Sequence, residues 1–139
     1  MDLSNLLSRS ANEVTAPKLA PPGIYLFRVM GVDASKKTGA ENPMVIFAVQ
    51  AEAPVEVDAG ALAGVTMPAK MNKMFVVTEA SLFYFKAFFL HMGFEEDGTS
   101  LQTMMDNCIG KTFKGTVVHT PDRKDPSIMR TEIRETMLA

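Results

Sequence analysis

From Gly23 onward the chain alternates with the period of a β-strand. Tyr25, Phe27 and Val29 fall on one side, and Ile24, Leu26, Arg28, Met30 and Val32 on the other. Both sides are apolar at first, which suits a long, bent strand running over 23–34. A polar stretch at 35–42 breaks the pattern with Gly39. Alternation resumes over 43–50, where Val45, Phe47 and Val49 oppose Met44, Ile46 and Ala48. Residues 51–69 are punctuated by Pro54, Asp58, Gly60, Gly64 and Pro68, and read as a flexible connection with a turn of helix near Ala61. A third strand follows over 70–78.

The period then changes to that of a helix over 79–92. Leu82, Phe85, Phe88, Phe89 and Met92 form one broad face, while Phe83, Ala87 and Leu90 form a second ridge. Thr78 is the expected N-cap, Glu79 suits the positive end of the helix dipole, and Gly93 is the stop. Leu101, Met104, Met105, Cys108 and Ile109 recur at helical spacing over 99–109, ended by Gly110. Two more strands are expected at 111–119 and 128–136, joined by a charged hairpin loop over 120–127.

Three strands, an apolar helix and two more strands define a mainly β fold with helices. This is the order of an OB-fold, a five-stranded barrel whose helix lies between the third and fourth strands. The barrel would occupy 21–139. Residues 1–20 form an N-terminal arm, in which Leu3, Leu6 and Leu7 make a short amphipathic turn and the segment 16–22 is a proline-punctuated tether. The helix at 79–92 carries more apolar surface than one barrel covers. Phe83 and Leu90 should therefore pack on the 99–109 segment, on the arm or on another subunit, and a homo-oligomer through that helix or the arm is expected.

At 139 residues the chain is one domain's length, and the sequence has a net charge of −2 with a pI near 5.7. That balance argues against a nucleic-acid binder in total charge, but a groove needs only local positive charge. One cysteine forbids an intrachain disulfide and fits a reducing compartment, so a cytoplasmic setting is expected. The first residues lack a basic start followed by an apolar run, and no apolar stretch is long enough for a membrane helix. The eleven methionines are read as core filling before an adaptable contact surface.

No sequence motif indicates catalysis. Gly110-Lys111-Thr112 lacks the second glycine of a phosphate-binding loop, because Met105 occupies that position. Cys108 sits among apolar residues and reads as a buried, inert thiol. His91 and His119 are isolated, so no metal or cofactor is expected, and no nucleophile elbow occurs. Glu95, Glu96 and Asp97 read as a solvated helix–loop junction.

The basic residues are informative by position. Lys36 and Lys37 fall in the first hairpin loop, Lys70 and Lys73 on the third strand, Arg123 and Lys124 in the last hairpin loop, and Arg130 and Arg134 on the final strand. In an OB-fold the corresponding loops and the face of strands two and three converge on the ligand groove. Single-stranded ligands also need stacking platforms. Phe75, Phe47, Tyr25 and Phe27 are the candidates, with core packing as the ordinary alternative. Phe75 leads because it shares strand parity with Lys73; with both in the groove, Met74 and Val76 would fill the core.

Pro22-Gly23-Ile24-Tyr25 at the first strand, Lys36-Lys37 before Asn42-Pro43-Met44, Thr78 before an apolar helix ending in Gly93, and Ile109-Gly110-Lys111 at the fourth strand resemble the small phage-encoded single-stranded-DNA-binding proteins with an OB-fold. The resemblance covers about residues 20–136. It implies sequence-tolerant binding and protection of single-stranded DNA in phage-type replication or recombination. The expected site is Lys36, Lys37, Lys70, Lys73, Phe75, Arg123, Lys124 and Arg130. One departure is the absence of an acidic tail, which puts tail-mediated recruitment in doubt. The rival reading is a small-barrel protein-interaction or virion-assembly protein.

Overall fold

The structure is a computed structural model and describes residues 2–11 and 18–139. A short helix, α1 (Leu3–Leu7), precedes β1 (Gly23–Lys37), β2 (Pro43–Glu56) and β3 (Ala69–Val76). Two helices follow, α2 (Leu82–His91) and α3 (Leu101–Asp106), then β4 (Thr112–Pro121) and β5 (Met129–Met137). The strands form one antiparallel sheet in the order β3-β2-β1-β4-β5. The expected mainly β architecture, with an apolar helix between the third and fourth strands, is present. Part of the expected proline tether, Ala16 and Pro17, lies outside the described residues.

β1 is the spine. It pairs with β2 along its length and with β4 over its first half, through Gly23↔Val117 to Arg28↔Thr112. Four register irregularities in the β1–β2 ladder bend the pair, as bulges do. The sheet is open rather than a closed barrel: β3 and β5 are edges with no ladder between them. They nevertheless lie side by side, and Lys73 Nζ on β3 donates to the Ile133 carbonyl on β5 at 2.9 Å.

One face of the sheet is a dense core. Tyr25, Phe27, Val29, Val45, Phe47, Val49, Phe113, Val117 and Ile133 are all buried. α2 lays Phe85, Phe88, Phe89 and Met92 on this face, while Met104 and Cys108 close it from the α3 side. Phe47 meets Phe88 edge-on at 4.9 Å between ring centroids, and Phe88 meets Phe113 at the same separation. Gly115 on β4 is also buried, because a Cβ there would sit 2.9 Å from Ile133 Cγ2 and 3.0 Å from Phe27 Cε2.

Several boundaries differ from the sequence expectation. α2 begins at Leu82 with Ser81 as N-cap, not at 79 with Thr78. Ser81 Oγ instead donates to the Val76 carbonyl and accepts from the Thr78 amide, so both residues are used in a turn that ends β3. β1 and β2 are longer than expected; β2 runs to Glu56 and is followed by a 3-10 turn at Ala59–Leu62, where a helical turn near Ala61 was expected. Gly93 stops α2 with φ +98°, a left-handed conformation that suits glycine.

The segment leading into the sheet is pinned. Tyr25 donates its hydroxyl to the Pro21 carbonyl at 2.7 Å, and His119 Nε2 donates to the Ala20 carbonyl at 2.8 Å. Ala20 and Pro21 are buried, whereas every described residue of α1 is exposed.

Candidate nucleic-acid interface

The β2–β3 register decides which side chains reach the outer face. Directly opposed residues of an antiparallel pair point the same way. Phe75 stands opposite Val45 and Lys73 opposite Phe47, and both partners are buried. Lys73 and Phe75 therefore point inward. Phe75 packs on Phe47, Phe85 and Phe88 at centroid separations of 5.9, 5.5 and 5.1 Å. Lys73 lies over the Phe75 ring at 5.2 Å, and burial pushes its ammonium pKa down while Glu132 pulls it up.

This corrects the expectation for β3. The shared parity of Lys73 and Phe75 holds, but the face they share is the core. Met74 and Val76, expected inside, are 56% and 39% exposed. The other expected stacking platforms, Tyr25, Phe27 and Phe47, are fully buried. A strand alternation apolar on both sides does not reveal which side is covered, and here α2 covers the aromatic one.

The outer face of the three strands reads in rows. Lys70 lies beside Gln50 and Arg28, Asn72 beside Ala48 and Gly31, Met74 beside Ile46 and Asp33, and Val76 beside Met44 and Lys36. A shallow groove of 360 Å³ crosses the middle of this face between Met30, Gln50, Lys70 and Asn72. Its floor is aliphatic and thioether, without an aromatic ring. Arg28 is already engaged, donating to Glu52 at 2.6 Å and to the Gly110 carbonyl at 2.7 Å.

The two basic turns lie beyond opposite ends of β1. Lys36 and Lys37 end the strand itself, paired with Met44 and Pro43, rather than lying in a loop; both are exposed. The other turn follows β4, which runs antiparallel past Gly23 and on to Arg123 and Lys124, also exposed. This turn is ordered by the Asp122 amide donating to the Ile128 carbonyl at 2.8 Å and by Ser127 bonding Asp125. Arg130 is placed beside it but pairs with Asp122 at 3.2 Å, and Arg134 pairs with Glu132 at 3.6 Å. Of the expected site, Lys36, Lys37, Lys70, Arg123 and Lys124 are accessible cations, Arg130 is partly neutralised, and Lys73 and Phe75 are half-buried on the core-facing side of β3.

The exposed rings lie elsewhere. Phe83 and Tyr84 on α2 are 69% and 68% exposed and meet edge-on at 5.6 Å. The sequence marked Phe83 as part of a ridge in need of cover, and α3 leaves it open. Between α2 and α3 runs a second groove, of 490 Å³, bounded by Leu82, Phe83, Leu101 and Met104 with the Lys86–Glu96 ion pair across it.

The remaining titratable groups have ordinary structural uses. Cys108 is buried, and burial pushes its thiol pKa up. His91 shares a hydrogen bond with Thr136 at 2.7 Å, tying α2 to β5. Asp33, Asp97 and Asp125 each accept from the hydroxyl and backbone amide two residues on, which holds their carboxyls below the usual range. Among the described residues no cluster of His, Cys, Asp and Glu is arranged to hold a metal ion, and no helix is long and apolar enough to cross a membrane. Compared with known proteins, the chain matches no family model and no curated sequence.

Proposed function

We propose that the chain is a non-catalytic, sequence-tolerant binder of single-stranded DNA on an OB-fold-like barrel, protecting strands in phage-type replication or recombination. The observation that carries this reading is the strand order β3-β2-β1-β4-β5, with α2 between β3 and β4 and the two edges bridged by Lys73. A partly open five-stranded barrel of this connectivity is a common oligonucleotide scaffold, and its ligands lie across the second and third strands. The groove beside Lys70, on the outer face that also carries Lys36, supports that placement.

The inward rings change the expected mode of binding. Affinity comes mainly from phosphate neutralisation by Lys36, Lys37, Lys70, Arg123 and Lys124. Bases rest on Met30, Met74 and Val76 instead of on aromatic faces. Binding of this kind is weak in sequence preference and steep in salt dependence. With one phosphate per cation, the slope of log K against log salt approaches roughly −3.5 for a single strand.

Fluorescence anisotropy with a labelled oligothymidine at two salt concentrations tests the reading. Tight binding at low salt that collapses at high salt supports it. Salt-insensitive binding, or none at low salt, sinks it and favours a protein-interaction or virion-assembly role. The exposed Phe83 and Tyr84 are the observation on the side of that second reading.

A further inference from the structure

One cation of the outer face is held by the protein's own carboxylate. We propose that Arg28 is a further phosphate site, which Glu52 occupies in the free protein and yields to a phosphodiester of the bound strand. The inference rests on the proposed single-strand binding and adds a sixth contact to the five cations assigned to it.

Register places Arg28 on the ligand face. It stands in one row with Gln50 and Lys70 across β1, β2 and β3, and Lys70 and Gln50 border the groove. At two strand spacings the ends of this row are about 10 Å apart, so a nucleic-acid strand lying across it meets both cations. Glu52 reaches Arg28 from an irregularity in β2. It lies between Ala51, which pairs with Phe27, and Ala53, which pairs with Leu26, and has no partner of its own on β1. An extra residue of this kind is a bulge, and a bulge re-aims its side chain.

The two partners are held unequally. Arg28 Nε donates to Glu52 Oε1 at 2.6 Å and Nη2 donates to Oε2 at 3.3 Å, while Nη1 donates to the Gly110 carbonyl at 2.7 Å. Among the described residues the Glu52 carboxylate has no other hydrogen-bond or ion-pair partner. When the carboxylate turns away, the guanidinium therefore stays fastened through Gly110 with its Nε–Nη2 edge open. That edge carries two parallel donors, a pattern that fits a carboxylate and a phosphate alike.

Exposure makes the exchange possible. The two side chains are 41% and 28% exposed, and an ion pair open to water in this way contributes little to stability. A fully buried pair would resist, because parting it leaves a charge without water or partner. Glu52 is hydrated when it leaves. A phosphate of a strand already held at Lys70 is tethered beside Arg28, which raises its effective concentration there.

Anisotropy titration of a labelled oligothymidine by the parent, Glu52→Gln, Arg28→Gln and the double variant tests this. Melting curves verify folding, and Arg28→Met replaces Arg28→Gln if that variant does not fold. Glu52→Gln should bind up to about fivefold more tightly than the parent, the equilibrium value of an exposed ion pair. Arg28→Gln should flatten the salt slope by roughly 0.7, one single-strand contact. In the Arg28→Gln background, Glu52→Gln should bring no more than a small part of its gain. A gain of equal size in both backgrounds would come from the altered net charge alone and would overturn the proposal, as would Glu52→Gln binding like the parent. In either case the parent still binds, so single-strand binding itself stands. A parent that fails to bind at low salt would overturn both.

Discussion

Lys73 donates to the backbone carbonyl of Ile133 at 2.9 Å and so joins β3 to β5 where the sheet has no ladder. Removing the donor by Lys73→Ala leaves that carbonyl short of a partner, and a loss of about 1–3 kcal/mol in stability is expected. The charged amine carries its own penalty, because burial lowers its folded pKa. The unfolded chain then binds the proton more tightly. The penalty is present in full below the lowered folded value, fades between that value and about 10.4, the ordinary lysine pKa, and is gone above it. Chemical denaturation of parent and Lys73→Met across mildly alkaline pH checks the sign. The parent should gain on the variant as pH rises, and a constant difference would show that the lysine is not desolvated.

Phe75 belongs to the interior ring cluster with Phe47, Phe85 and Phe88. Phe75→Ala should cost about 3–5 kcal/mol, at the larger end if the neighbouring rings cannot collapse into the space. Oligonucleotide affinity measured on the folded fraction should be unchanged. A stable variant with weakened binding would return this ring to the ligand site.

The basic turns are separable from the fold. Lys36→Glu with Lys37→Glu, or Arg123→Glu with Lys124→Glu, alters only exposed side chains, for which stability changes are usually within about 0.5 kcal/mol. Each pair should weaken oligothymidine binding and flatten the salt slope by roughly 1.4, the loss of two single-strand phosphate contacts. If both double variants bind like the parent, the strand does not cross the outer face of β1–β3.

Much of this was legible in the sequence, and the failures have two causes. The order of strands and helices could be read because polar, glycine-bearing stretches separate clear runs of period two and period three to four. On β1 and β2 alternation puts Tyr25, Phe27, Val29, Val45, Phe47 and Val49 on one side, but both sides are apolar, and only the packing of α2 makes that side the inner one. On β3 both sides contain apolar residues as well as a lysine, so parity alone left the direction open. It was settled by the pairing of Phe75 with Val45, a contact between distant parts of the chain. The N-cap shift from Thr78 to Ser81 is local instead: Ser81 Oγ donates to the Val76 carbonyl five residues back at 2.6 Å, in a turn that the helical spacing does not show. The α2–α3 groove was foreshadowed by the Phe83 ridge, but its open state depends on the position of α3.

Gly115 is a packing requirement. With Ile133 and Phe27 atoms at 2.9 and 3.0 Å from the place of a Cβ, Gly115→Ala should force both neighbours to move and cost about 1–3 kcal/mol. Thermal melting measures this. A neutral result would mean that Phe27 shifts freely, contrary to its stacking on Phe113 at 5.3 Å.

Cys108 should resist thiol reagents in the native protein, because it is buried and its thiolate is disfavoured by the same burial. Labelling should be slow in buffer and fast in denaturant. Rapid native labelling would show that the α3 side of the core opens readily.

The bond from Tyr25 to Pro21 has a spectroscopic corollary. The chain has no tryptophan and two tyrosines, so its intrinsic emission comes from only two places. Tyr25 is sealed at the root of the arm and Tyr84 stands in solvent on α2. An aqueous quencher such as iodide should reach the second and spare the first. Occupation of the α2 surface would then register as protection of the quenchable signal, and detachment of the arm's root as exposure of the protected one. The protein thus carries two unlabelled reporters, one at the root of its arm and one on the outer surface of α2.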